Sequence, residues 1–334
     1  MKAVFIKEFG GAENLEIREV EKPPVPSNKQ VLVNVKAAAL NRADILQRQG
    51  FYPAPKGFPE RIPGLEFAGE IAEIGKNVEK FKVGDGVFGI TAGGAQAEFL
   101  LTDESLLAQI PNNLSFTKAA AVPEAFITAH DAIFTNGNLK KGETLLIHAV
   151  GSGVGLAALQ LAKTKNIKVL GTSRTFDKLK KCKEFGLDAG IFTEAITVKD
   201  NQKEISRLVH YFTENKGVDI ILDLVGARFF EENLRSLTLK GRLILVGLVA
   251  GRKAEFDLGM ALTKRLKIIG TILRSRPTPE KAEATQKFIT EVLPLFENGQ
   301  IKPNLDKIFN FEEVVQAHKY LESNSSFGKV VLEF

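Results

Sequence analysis

The chain has 334 residues, 44% of them hydrophobic and 25% charged, with a formal net charge of +5. That is a globular composition for one large domain or two ordinary ones, and it excludes low-complexity and fibrous chains. The single cysteine, Cys182, excludes an intrachain disulfide framework and a cysteine-rich zinc cluster, and suits a reducing compartment.

Residues 1–120 read as mostly β. The strands expected are 2–6, 15–20, 31–38, 70–74, a run after the 83–86 turn, and 96–101, with a short helix over 42–48. The loop 50–63 carries Tyr52 and four prolines, Pro53, Pro55, Pro59 and Pro63, which order it by constraint. Many short strands with glycine and proline turns suggest a compact barrel-like domain. The N-terminus alternates like a strand rather than a signal peptide. No run approaches the ~18 apolar residues of a membrane span.

Near residue 115 the pattern changes. Ser115 or Thr117 is placed to cap a helix holding 119–121, and 124–134 is a second helical stretch. Strands at 145–149, 168–172, 190–192, 220–224, 242–246 and 267–272 then alternate with helices that include 177–185, 202–214 and 229–236. Such alternation implies a parallel sheet covered on both faces. A helix over 279–298, an extended run at 307–311, a helix to 323 and a strand at 329–334 complete the chain. That last strand needs a partner, and the β-rich N-terminal domain is its expected host. Phe134, Phe185 and Phe288 read as core.

The stretch with the most chemical content is 144–163. A short apolar strand runs into a turn, Val150 to Gly155, and then into a helix of small apolar residues. Gly153-x-Gly155-x-x-Ala158 is the alanine-ending form of the dinucleotide fingerprint. The turn needs a backbone without Cβ, the second glycine leaves room for a pyrophosphate, and the third small residue lets helix and strand pack. The helix N-terminus presents free N–H groups to the anion. A mildly basic chain without long Lys/Arg blocks suits such a phosphorylated ligand and does not favour nucleic acid.

The order of motifs resembles the zinc-free, zeta-crystallin-like quinone oxidoreductases of the medium-chain dehydrogenase/reductase superfamily. The matching pieces are Ala39-Leu40-Asn41-Arg42-Ala43-Asp44, Gly64-Leu65-Glu66-Phe67-Ala68-Gly69, Val83-Gly84-Asp85, Gly153-Val154-Gly155-Leu156-Ala157-Ala158, Asp223-Leu224-Val225-Gly226, Leu273-Arg274-Ser275-Arg276 and Phe327-Gly328-Lys329-Val330-Val331-Leu332. LNRAD, QRQG and LRSR look closest to the branch typified by the damage-inducible human quinone reductase. The resemblance implies an α/β fold: a GroES-like β-barrel catalytic domain, residues 1–122 and 274–334, an inserted doubly wound Rossmann domain, 123–273, and a cleft between them. Zinc members carry a cysteine near Asn41 and a histidine after the glycine that matches Gly64. Here Leu65 follows Gly64, and no histidine has a second ligand at useful spacing, so no metal is expected.

The expected cofactor is NADPH. Where an NAD site usually has an acid, about 20 residues beyond the glycines, this chain has Ser173 and Arg174, with Lys178 a turn later. Relatives often place a tyrosine after the third strand against the 2′-phosphate, and Thr193 stands there. Gly151, Ser152, Gly153, Val154 and Gly155 form the turn. Thr128 looks like the threonine near the nicotinamide, and Gly226, Gly247 and Leu248 lie at strand ends on the ligand-binding edge. Charge builds on an acceptor oxygen during reduction and needs a donor. Asn41 and Tyr52 are the catalytic candidates, and the resemblance places both beside the nicotinamide. Asp44 and Glu66 are expected to organise the loop. Phe51 and Phe58 either wall a pocket or pack the domain, and Arg274 and Arg276 either clamp a ligand or form salt bridges.

Three functions stay open. The first is an NADPH:quinone oxidoreductase acting on small ortho- or para-quinones. The second is a reductase of activated C=C bonds in an alkenal, enone or enoyl thioester. The third is a protein that binds NADPH, RNA or a partner with little turnover. A cytoplasmic homodimer, joined through the edge strand 267–272 and without a membrane partner, completes the expectation.

Overall fold

The computed structural model describes residues 1–194 and 204–334. The chain divides into two compact units, Met1–Ile127 with Leu273–Phe334, and Thr128–Ile272. The first begins with β1 (Lys2–Ile6) and β2 (Leu15–Glu19), an antiparallel pair. Then come β3 (Gln30–Leu40), α1 (Arg42–Arg48), β4 (Glu66–Ile74), β5 (Gly86–Ile90), β6 (Phe99–Asp103) and β7 (Leu107–Gln109). α2 (Phe116–Ala120), capped by the Ser115 hydroxyl, and α3 (Pro123–His130) follow.

Two expectations shift here, and one strand was not expected. β4 begins at Glu66 rather than residue 70, because 66–69 is a buried run paired with β3. Gly69 permits that approach, since a Cβ there would lie 2.2 Å from the Asn34 carbonyl oxygen. The 96–101 strand moves to β6 because Gln96 and Ala97 turn to β1, through the Val4 N–H to the Gln96 carbonyl and an Ala3–Ala97 bridge. β7, at three residues, is too short to carry a readable period.

The second unit continues from α3 through a π-helical segment, Asp131–Asn136. Its elements are β8 (Thr144–Ile147), α4 (Gly153–Thr164), β9 (Lys168–Ser173), α5 (Phe176–Cys182) and β10 (Ala189–Phe192). α6 (Glu204–Phe212), β11 (Val218–Asp223), α7 (Phe230–Ser236), β12 (Leu237–Leu245), α8 (Leu258–Lys264) and β13 (Lys267–Gly270) follow. The expected helix start at 202 lies outside the described residues. The sheet is wholly parallel, in the order β10-β9-β8-β11-β12-β13. That is the 3-2-1-4-5-6 order of a Rossmann fold. Its inner strands are continuous apolar runs: Leu145, Leu146, Ile147, Ile220, Ile221 and Leu222 are fully buried. β13 is the edge strand, as expected.

The chain then returns to the first unit with α9 (Thr278–Glu291), α10 (Leu293–Glu297), β14 (Leu305–Asn310), α11 (Val314–Glu322) and β15 (Lys329–Glu333). The single helix expected over 279–298 breaks at Val292, because Pro294 lacks an N–H and its ring opposes a continuous helix. The sheet runs β14-β15-β3-β4-β5-β7, with β6 also on β3. β15 therefore finds its partner in the N-terminal part, antiparallel to β3 and parallel to β14. Phe288 is core, edge-on to Phe88 at 6.0 Å; Phe134 and Phe185 are only half-buried.

Candidate active site

In the second unit, β8 ends and the chain reverses through Ala149, at φ 51°, into the glycine turn. The left-handed residue is therefore an alanine, and the glycines serve closeness. A Cβ on Gly155 would lie 2.5 Å from the Ala149 carbonyl oxygen, so the second glycine seats α4 against the turn. Gly171 of β9 does the same opposite Val150, whose Cγ1 would be 2.7 Å from an added Cβ. The Ser152 hydroxyl accepts the Gly155 N–H. No protein group among the described residues takes the N–H groups of Gly153 and Val154, which open the twelve-residue helix. Free N–H groups at a helix start are of the kind that can receive an anion.

At the end of β9, Ser173 is buried and its hydroxyl accepts the Thr175 N–H. Arg174 is exposed and carries no ion pair among the described residues. Lys178 is half-buried one turn along, near Cys182, whose thiol burial pushes up to about 12. Thr193 is placed differently from the expected phosphate contact. It is buried, and its hydroxyl donates to the Ser173 carbonyl, so it braces the strand end. The Thr128 hydroxyl oxygen is buried without a partner. Gly226 (φ 92°) and Gly247 both sit where a Cβ would strike backbone, at 2.7 Å from Gly251 O and 2.6 Å from Leu224 O, and Leu248 is half exposed.

Beneath these loops runs a buried chain of hydrogen bonds that sequence reasoning missed. Asp223 Oδ1 accepts the N–H groups of Val225 and Gly226, and its Oδ2 accepts Asn233 Nδ2 at 2.9 Å. Asn233 Oδ1 then meets His148 Nε2 at 2.6 Å, so that nitrogen carries the proton. His148 Nδ1 is hydrogen-bonded to the Thr172 hydroxyl at 3.0 Å. Thr172 Oγ1 in turn accepts the Ala149 N–H. One chain thus fixes the turn after β8 and the loop after β11 together.

The first unit holds a second polar cluster. Asn41 and Asp44 form a capping box at the start of α1. Asp44 accepts the N–H groups of Asn41 at 2.7 Å and Gly64 at 2.9 Å. Burial pushes its carboxyl up to about 6, against those hydrogen bonds and the charges of Arg274 and Lys329. Glu66, fully buried, accepts Asn41 Nδ2 at 2.8 Å, the Glu124 N–H at 2.9 Å, and the Lys329 ammonium. Lys329 also donates to Asn41 Oδ1 at 2.7 Å and Leu40 O at 2.9 Å. The expected organising role of Asp44 and Glu66 is therefore visible in detail.

Arg274 forms no salt bridge among the described residues. It is buried and donates to Ala92 O, Tyr52 O and Gln47 Oε1, and its guanidinium carbon lies 4.8 Å from the Tyr52 ring centre. It thereby pins the proline loop. Tyr52 is half-buried, and its hydroxyl has no partner among the described residues. Burial raises its phenol above the usual value, partly offset by Arg274. Phe51 is 78% exposed, and Phe58 lies under Lys281, 5.2 Å from ring centre to Nζ. The structure thus brings Asn41 into one cluster with Glu66, Lys329 and Glu124, and sets Tyr52 against Arg274. Lys329 and Glu124 had no sequence signal beyond the Phe-Gly-Lys ending and an acid in the first turn of a helix.

A wholly parallel Rossmann sheet with free N–H groups at the helix after its first strand, in a chain that also carries a GroES-like unit, defines a medium-chain dehydrogenase/reductase. Residues 153–291 match the family described as zinc-binding dehydrogenase, and residues 27–112 match the alcohol dehydrogenase GroES-like domain. The quinone oxidoreductase of Lama guanicoe is 32% identical over 99% of this chain and 97% of its own length. That of Homo sapiens is 31% identical over 99% and 97%. The structure of a mycobacterial protein complexed with NADPH superposes with a TM-score of 0.88 at 26% identity, covering all of both chains. The JamJ enoyl reductase gives 0.87 at 26% identity over 99% of this chain and 98% of that one. The chain belongs to the quinone oxidoreductase family of medium-chain enzymes, and it is an oxidoreductase.

The zinc in one family description does not fit these residues. Glu66 is bound to a lysine ammonium and to two further donors, and Leu65 beside it is apolar and buried. Among the described residues no three His, Cys, Asp or Glu side chains are grouped to hold a metal ion.

Proposed function

We propose that this enzyme is an NADPH-dependent quinone oxidoreductase acting on small ortho- or para-quinones without zinc. The observation that carries this reading is whole-length similarity to quinone oxidoreductases, at 31–32% identity. When bound, NADPH supplies the hydride. Gly153 and Val154 N–H groups receive the pyrophosphate, Gly155 keeps the turn close, and the Thr172–His148–Asn233–Asp223 chain holds both strand-end loops. Arg174 and Ser173 meet the 2′-phosphate, with Lys178 adding charge, and Thr193 positions Ser173. In the first unit, Tyr52 has a free hydroxyl to offer the acceptor oxygen, and Asn41 keeps one amide hydrogen beyond that given to Glu66.

The choice of NADPH rests on the exposed guanidinium of Arg174 in the place where an NAD site carries an acid. Arg174→Ala is expected to relax the NADPH/NADH preference about tenfold in kcat/KM; an unchanged ratio contradicts the assignment. Likeness to an enoyl reductase supports reduction of activated C=C bonds as a second reading. NADPH oxidation with 9,10-phenanthrenequinone, 1,4-benzoquinone, crotonaldehyde and crotonyl-CoA ranks the two. Faster turnover of the last pair displaces the quinone reading.

The same reading takes the enzyme as a homodimer joined through β13. This strand is an open sheet edge with Ile268 40% exposed and Ile272, just beyond it, 47% exposed. Light scattering is expected to give twice the 36.6 kDa chain mass; a monomer at micromolar concentration refutes it.

A further inference from the structure

The cluster around Glu66 contains one acid with no partner. Glu66 takes three donors, from Lys329, Asn41 and the Glu124 N–H, and these hold a negative charge in place. Glu124 stands next to it in the first turn of α3. Its carboxyl is only partly exposed, and among the described residues it accepts no hydrogen bond and enters no ion pair. At the start of that helix the Glu124 N–H is already taken by Glu66.

The charged and titratable groups that act on it come from every side: Glu66 of β4, Lys329 of β15, Asp44 of α1, Arg274 before α9, and Lys281 of α9, with Tyr52 in the proline loop. The cations are engaged elsewhere. Arg274 serves three oxygens, Lys329 serves Glu66, Asn41 and Leu40, and Lys281 donates to the Arg274 carbonyl at 3.3 Å. When two carboxyls share one site, the one with donors keeps the charge and the other keeps the proton. Burial, and then the Glu66 charge, push Glu124 up to about 8, against Lys329 and Arg274. At neutral pH it is a carboxylic acid close to its own midpoint, which is where a general acid works best. Burial raises the Tyr52 phenol as well, which takes it further from neutrality, so it can orient an oxygen but is a poor proton source.

Resting on the quinone-reductase reading, we propose that Glu124 is a catalytic acid, supplying the proton that accompanies hydride transfer to the acceptor. The quinone gains a hydride and becomes the hydroquinone monoanion, while NADPH is oxidised to NADP⁺. The Glu124 O–H bond then breaks and an acceptor O–H bond forms. The electron pair stays on the carboxylate, which regains a proton from water.

The test uses the whole enzyme. Infrared titration without turnover is expected to show a protonated-carboxyl band at pH 7 that fades near pH 8 and is missing in Glu124→Gln. With 9,10-phenanthrenequinone, Glu124→Gln is expected to lower kcat about 10²-fold and to lose the alkaline fall in rate near pH 8, with NADPH affinity by fluorescence unchanged. Tyr52→Phe should slow the reaction but keep that alkaline fall. An unchanged rate and pH profile in Glu124→Gln, or no protonated band in the native enzyme, overturns the proposal. If the native enzyme reduces crotonyl-CoA and not quinones, the quinone reading fails. The Glu124-dependent alkaline fall then carries the acid over to that acceptor.

Discussion

Replacing Lys329 with methionine is expected to lower unfolding free energy by about 3–5 kcal/mol, the usual result of removing one partner of a buried ion pair. Lys329 is 4% exposed and Glu66 is fully buried, so no water can take over from the lost ammonium. The amide hydrogen of Asn41 and the Glu124 N–H remain, but neither carries charge. Methionine keeps most of the stem, so packing loss is small and the effect isolates the charge. Urea unfolding should show a lower midpoint at unchanged slope. Adding Glu66→Leu to Lys329→Met should restore much of the loss, because a buried pair replaced whole by apolar groups is often neutral. A single-variant loss below about 1 kcal/mol would mean that Glu66 is not held as a carboxylate by Lys329.

Asn233→Leu is the second large effect expected. It leaves Asp223 Oδ2 and the His148 Nε2–H without partners in a fully buried place. A lone neutral donor costs about 1–3 kcal/mol and a charged acceptor more, so a loss of about 3–5 kcal/mol is expected. The loss should also reach the cofactor. Asp223 holds the 225–226 loop and His148, through Thr172, holds Ala149. NADPH affinity is expected to fall about tenfold even though Asn233 is buried away from any ligand, since about 1.4 kcal/mol of loop ordering is a factor of ten. Fluorescence titration of NADPH checks this. Full affinity at reduced stability would show that the chain supports the sheet but not the loops.

Much of the architecture was readable because it follows from local pattern. The runs around Leu146, Leu170, Ile221 and Leu243 are apolar for four or more residues because parallel strands are buried on both faces. Arg42–Arg48 begins at a capping asparagine with an acid three residues on, and its bounds were met to the residue. Pro294 marks a break in the same way, but the long apolar period around it reads as one helix. What pattern cannot supply is pairing across distance. His148 and Asn233 are 85 positions apart, and each alone reads as an ordinary polar residue. Glu66 reads as a strand-preceding acid until its cation, drawn from the last strand, is in place. Glu124 gains its chemistry only from what surrounds it.

The position of β15 also sets an order of events. Lys329 meets the Leu40 carbonyl across 289 positions, whereas the second unit is one continuous stretch of chain. At about 5–20 residues per second, a ribosome takes about 15–60 s to travel that interval. For that time the nascent chain carries residues 37–40 of β3 unpaired on one side and Glu66 with no counter-charge, while residues 128–272 can already fold. An open edge on a long strand invites pairing with other chains. β15 is therefore the strand that completes this sheet and brings Glu66 its cation.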